Sequence, residues 1–363
     1  MSRARIYWIE LAKGTGVVSV VTVHSMIPDI NLCTQHLSSF TIPLFFVLAG
    51  LTYNNERHRS DLASFVRARA QQYLIPYFVL YIAMISLRHL LGPYAGTNIT
   101  TDQLVFALVY GSGPPDSATH LWFLPVLFFG LLLFAVTDRV MASLSQSSRL
   151  PLLVLFPLLA DSVKSLFGGA LVPWHINAIL ISTTFMMIGN GLRMLGGLRT
   201  WKVGGNAEGI LIALILASTT LILSTMNGFT DIAVDNTGRS VWIYIATGAL
   251  GSMLVFVVTG YASNKDSALT RMLTRLGGYS QEVYEVHPLM FYAVPAIIVV
   301  LGGTTSMYED MFFLFWPARL IIALTISMVL AERVISRHWL TRLVFRGSAT
   351  PSTRAVTTEP KTV

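Results

Sequence analysis

The run THLWFLPVLFFGLLLFAVTDRV, residues 119–140, carries no charged side chain between His120 and Asp138. A helix rises about 1.5 Å per residue and needs about 20 mostly apolar residues to cross the hydrocarbon core of a bilayer. The run therefore reads as a membrane-spanning helix. The same ruler places further spans near 7–27, 39–55, 73–92, 150–167, 177–195, 208–226, 240–263, 277–302 and 311–333. Composition agrees: 53% of residues are apolar and 12% charged, against about 25% charged in soluble domains. The expected fold is all-α, a polytopic integral membrane bundle of about ten transmembrane helices. Pro151 and Pro157 kink the fifth span without excluding it.

The basic residues orient that bundle. With the N-terminus inside, the inner segments hold Arg3, Arg5 and Lys13, then Arg57, Arg59, Arg67 and Arg69, then Arg139 and Arg149. Arg193, Arg199 and Lys202 follow, then Lys265, Arg271 and Arg275, and a basic tail from Arg333 to Lys361. The outer side keeps only Arg88, Lys164 and Arg239 beside seven carboxylates, among them Asp231 and Asp235. This is the positive-inside pattern, and it puts both termini in the cytoplasm. It also accounts for the net charge of +7 without nucleic acid as a partner. Residues 1–346 form one membrane-embedded domain, and the Ser/Thr/Pro-rich stretch 347–363 is expected to be a disordered cytoplasmic tail. The single Cys33 excludes an internal disulfide or thiolate cluster, and the histidine spacing offers no metal site. Arg3 and Arg5 precede an apolar run as in a signal peptide, but Glu10 and Lys13 interrupt it, so it reads as a retained first helix.

Ionisable groups within spans are costly unless paired, which makes them functional candidates. Lys13 and His24 are eleven residues apart, so they share one helix face to within about 20° and lie about 16 Å apart along the axis. Glu10 falls within about 60° of both. A cation at the inner end and an imidazole near the outer end suit a donor with phosphates at the cytoplasmic surface and a long thin arm reaching inward, the shape of acyl-coenzyme A. The same spacing also fits a Lys13 that snorkels to the interface and a His24 packed against a carbonyl. An imidazole is the side chain able to take a proton from a hydroxyl at neutral pH and release it again; it can also carry the acyl group itself. His120 and Trp122 fit either an interfacial aromatic belt or a sugar-stacking cleft. Glu282, Glu285 and His287 belong to the ninth span and Arg319 to the tenth. Their depths predict a buried ion pair between Glu285 and Arg319.

Lys13-x10-His24, the run from Ile42 to Gly50, the stretch Arg67 to Tyr77 ending Leu-Ile-Pro-Tyr, His120-Leu-Trp-Phe-Leu124, Pro173-Trp-His-Ile-Asn177 and Val283-Tyr-Glu-Val-His-Pro288 stand in this order. In that order they resemble the acyltransferase 3 family of bacterial membrane O-acyltransferases, over almost the whole chain. The nearest likeness is to fucose 4-O-acetylase-like and xanthan-type exopolysaccharide acetyltransferases. The resemblance implies transfer of an acetyl group from cytoplasmic acetyl-coenzyme A, as co-substrate and with no bound cofactor, to a sugar hydroxyl. The acceptor would be a cell-surface or exported polysaccharide or its lipid-linked precursor, in the bacterial inner membrane. The implied partners are that saccharide, membrane lipids and polysaccharide assembly proteins. The family's essential histidine falls on His24 and its paired basic position on Lys13. Where the family tends to place two basic residues three apart, this chain has Arg69 and Gln72, with Arg67 as a substitute. Ala49 stands where the family usually has serine, so no hydroxyl role carries over there.

Two other classes fit many spans and buried charges. A transporter or flippase for lipid-linked saccharides would show paired interrupted helices in two comparable halves, which this sequence lacks. A structural subunit of an export complex would not need the Lys13 to His24 face.

Overall fold

The computed structural model describes residues 6–27, 29–95, 100–111, 119–145, 147–168, 170–196, 207–290, 302 and 312–350. Their regular structure is helical apart from one isolated bridge between Asp231 and Asn236. The helices are α1 (Tyr7–Met26), α2 (Leu32–Thr52), α3 (Asn55–Ser60), α4 (Leu62–Ala95), α5 (Thr101–Tyr110), α6 (Phe123–Val140) and α7 (Leu152–Leu166). They continue as α8 (Ile176–Gly196), α9 (Ala207–Asn227), α10 (Val241–Ala262), α11 (Ala268–Gly278), α12 (Ser280–Met290), α13 (Phe312–Leu330) and α14 (Trp339–Arg346). Asn31 starts α2 with a reciprocal capping box to Thr34, which is why that helix begins seven residues before the expected span at 39.

Among the described residues, five helices are long and apolar enough to cross a membrane: Leu32–Thr52, His120–Val140, Pro173–Gly196, Ala207–Asn227 and Val241–Ala262. In α9 only 22% of the most apolar stretch is buried, and Ile210, Leu214 and Ile222 are each more than half exposed. An apolar face of that size suits lipid and not water.

The expected ninth span, 277–302, is not one helix. The chain breaks at Tyr279 (φ −115°, ψ 22°), so Gly277 and Gly278 end α11 and the polar run from Ser280 starts α12. Residues 291–301 lie outside the described residues, as do residues 351–363 of the expected tail. The end of α11 is packed tightly against α1. A Cβ on Gly277 would meet the Glu10 carbonyl oxygen at 1.8 Å, and one on Gly14 would meet the Leu273 carbonyl oxygen at 1.8 Å. Backbone touches backbone where α11 crosses α1, as small residues allow between membrane helices. α1 also packs on α2, α10, α12 and α13, so the face bearing Lys13 and His24 is turned into the bundle.

Candidate functional site

The inward face of α1 lines a cavity of about 830 Å³, with walls from α2, α4, α6, α8 and α12. Ile6, Glu10, Lys13, Val17 and Val20 follow one another along it, the three-and-four spacing of one helix stripe. Its polar groups gather at the Lys13 end, where Lys13 pairs with Glu10 at 2.8 Å and Gln72, Arg193, Gln281 and Glu282 join the wall. The other end is apolar and stops at His287. A second pocket of about 50 Å³ begins there, lined by His24, Ser38, Thr41, Thr230, Asp231 and Tyr244. Val20 and Ile42 line both.

The two histidines stand where the cavities meet. His24 Nδ1 and His287 Nε2 are 2.7 Å apart, with the rings within 5° of parallel. Backbone carbonyls settle which nitrogen holds which proton. His287 Nδ1 is 2.7 Å from the Tyr284 oxygen and 3.2 Å from that of Val283, so it must donate. Nε2 of a neutral His287 then has only a lone pair, and His24 Nδ1–H donates to it. His24 is left with an unprotonated Nε2, which has no protein partner among the described residues. His120 completes a cluster of three imidazoles: its ring centre is 6.0 Å from that of His287, and its Nε2 lies 3.3 Å from the Glu285 carbonyl oxygen.

His120 apart, the remaining expected site residues are not gathered at the imidazole cluster. His120 and Trp122 are 6% and 4% exposed and line neither cavity; Trp122 packs on the buried His175 at 5.5 Å. They therefore form neither an interfacial belt nor an open stacking surface. Arg67 is exposed on α4. Arg69 bonds Gln72 at 2.5 Å and lies over the Phe65 ring, and neither arginine lines the large cavity. Glu282 pairs with Arg346 of α14. The Glu285–Arg319 pair does not form. The break at Tyr279 leaves Glu285 only five residues into α12, where it accepts from Gln281 Nε2 at 3.0 Å. Arg319 donates instead to the Ile27 carbonyl at 3.3 Å, at the C-terminal end of α1, where helix carbonyls lack partners and the dipole favours a cation.

Two clusters carry little signal in the sequence. The loop after α9 folds over the small pocket. Asp235 (φ 58°) accepts from Val172 N and Asn177 Nδ2, each at 2.8 Å, while Asp231 lines the pocket beside His24. Burial raises the pKa of Asp231 above its ordinary value, against the opposing hydrogen bond from Ala233 N–H. The second cluster is Asp138, fully enclosed, which accepts from Arg59 at 2.6 Å, Arg149 at 2.8 Å and Asn55 at 2.9 Å. Losing that carboxylate strands two guanidinium groups, of which Arg149 is the more buried. Asp138→Leu should therefore cost about 3 kcal/mol of stability. Adding Arg149→Met should recover part of the loss, read as a rise in thermal midpoint in detergent over the single variant.

The model of an acyltransferase domain, that of the acyltransferase 3 family, matches residues 6–332. No curated protein and no solved structure matches the chain. With nearly its whole length matched, the chain belongs to the acyltransferase 3 family and is an acyltransferase.

Proposed function

We propose that this membrane acyltransferase moves an acetyl group from cytoplasmic acetyl-coenzyme A to a hydroxyl of a lipid-linked or polymeric cell-surface sugar. It works in the bacterial inner membrane with about ten spans and both termini cytoplasmic. The observation that carries this reading is the pair of cavities meeting at His24 and His287. The larger one is polar at the Lys13 end and apolar toward Val20, as a phosphate-bearing donor with a thin arm requires. Its volume is within the range of about 300–1,000 Å³ usual for ligand sites. The smaller one brings the hydroxyl groups of Ser38, Thr41 and Thr230 and the Asp231 carboxyl beside His24, partners suited to a sugar.

The reaction then runs through one proton. His24 Nε2 takes it from the acceptor hydroxyl while that oxygen attacks the thioester carbonyl. The C–S bond breaks, the imidazolium returns the proton to the departing sulfur, and the products are an O-acetyl ester and free coenzyme A. While His24 is charged, its Nδ1–H bond to the neutral His287 spreads the charge. Arg67 and Arg69 stand outside the cavity wall, and of the two Arg69 alone reaches it, through its hydrogen bond to Gln72.

The test is purified enzyme in detergent with acetyl-labelled coenzyme A and a lipid-linked saccharide extract. Thiol release, faster with extract and matched by label in the saccharide, is expected; neither thiol release nor label would overturn the reading. Lys13→Ala should raise the donor KM about tenfold while lowering kcat less, because a phosphate contact made in ground and transition states alike is uniform binding. The variant also removes the 2.8 Å pair with Glu10 on the cavity wall. An unchanged KM would move the donor phosphates away from Lys13.

A further inference from the structure

The charges around the large cavity are mostly spoken for. Lys13, which the donor reading gives to one phosphate, already shares its charge with Glu10, and Glu282 is held by Arg346. Gln72 is neutral and tied to Arg69 and, at 3.1 Å, to Gln281. Arg193, on the last turn of α8, also lines the cavity. Half-buried, it makes no hydrogen bond, ion pair or ring contact with another described residue. Its helix end is rigidly set. A Cβ on Gly189, one turn earlier, would meet the Val47 carbonyl oxygen of α2 at 2.0 Å. Asn190 donates to Asn55 Oδ1 at 3.0 Å and to the Gly50 carbonyl at 3.4 Å.

We propose that Arg193 is a phosphate-binding subsite at the cavity mouth, taking a phosphate of the nucleotide portion of the acyl donor. The proposal rests on the donor reading above. A guanidinium matches phosphate oxygens with two parallel N–H bonds, and a fixed helix end leaves only the side chain's own rotamers to be ordered. The competing source of the same chemistry is a lipid headgroup, toward which a basic residue at a helix end can also reach.

The experiment measures binding of coenzyme A and of 3′-dephospho-coenzyme A to wild type, Arg193→Gln and Arg193→Lys, with steady-state kinetics on acetyl-coenzyme A. The glutamine variant should weaken coenzyme A binding and raise the donor KM by about tenfold or more. Its kcat at saturating donor should stay within about twofold, as for uniform binding. Lysine, with charge but no planar fork, should fall between the two. Loss confined to coenzyme A assigns the 3′-phosphate and equal loss for both ligands the pyrophosphate; either supports the subsite. Unchanged donor binding in Arg193→Gln, while wild type binds coenzyme A, overturns it. So does a donor effect that vanishes in nanodiscs without anionic lipid, which would hand Arg193 to a headgroup. If wild type binds no coenzyme A at all, the donor reading itself fails, and the subsite with it.

Discussion

Alanine in place of His24 is expected to cut sugar acetylation by about a thousandfold, within the range of 10²–10⁴ that a positioned acid–base group contributes. In the proposed reaction nothing else beside the small pocket does its work. Asp231 and Tyr244 are the other titratable side chains there; a phenol is no base near neutrality, and the hydrogen bond of Asp231 with Ala233 N fixes that carboxyl in the loop. Protein level and membrane insertion should not change. His24 is only half-buried, alanine is a strong helix former, and α1 keeps its backbone contact with α11 through Gly14 and Gly277. The measurement is acetyl content of surface polysaccharide in cells carrying the variant, beside its abundance in membranes. Normal acetyl content at normal abundance would sink the general-base proposal. A loss of abundance would be resolved by His24→Gln, which keeps the size and polarity of the side chain but cannot serve as a base near neutrality.

What could be read in the sequence was local. Lys13 and His24 share a face because eleven residues make just over three whole turns, and the structure turns that face inward along the cavity and on to the small pocket. The partner of His24 is 263 residues away, and no periodicity links them; the only signal in His287 is an ionisable group deep in a span. Asp138 and Arg149 are hidden for the opposite reason. Charges at span ends look like interfacial anchors, and only the return of α3 against α6 turns Asp138 into a buried clamp. Arg193 likewise reads as one more inside-positive charge until α8 is seen to end on the cavity wall. A ruler of about 20 mostly apolar residues passes over the break at Tyr279 because it counts composition and does not see packing. The tandem Gly277–Gly278, with Tyr279 and then the polar Ser280-Gln281-Glu282 after it, is the available sign. The Glu285–Arg319 expectation failed with that boundary, since its depth argument assumed one uninterrupted helix.

His287→Ala should be nearly as damaging as the loss of His24 itself, though in the proposed reaction His287 exchanges no proton with the substrate. Its part is to fix a tautomer. The Tyr284 and Val283 carbonyls hold the proton on its Nδ1, so its Nε2 can only accept, and His24 must place its own proton on Nδ1. Remove the acceptor and His24 is free to carry the proton on Nε2, the nitrogen that has to be bare, and to rotate away from the pocket. In other enzymes, spoiling the group that holds a catalytic histidine in its tautomer costs about 10⁴ in kcat, and a loss of about 10³ is expected here. Donor affinity should move only a few-fold, because His287 stands at the far end of the cavity from Lys13. Glutamine separates orientation from acid–base chemistry. Its carbonyl oxygen can accept the Nδ1–H of His24 but cannot titrate near neutrality, so His287→Gln should run at least tenfold faster than His287→Ala. Equal rates for the two, with both variants folded and binding donor, would mean that His287 exchanges protons itself. The division of labour between the two imidazoles would then have to be reversed.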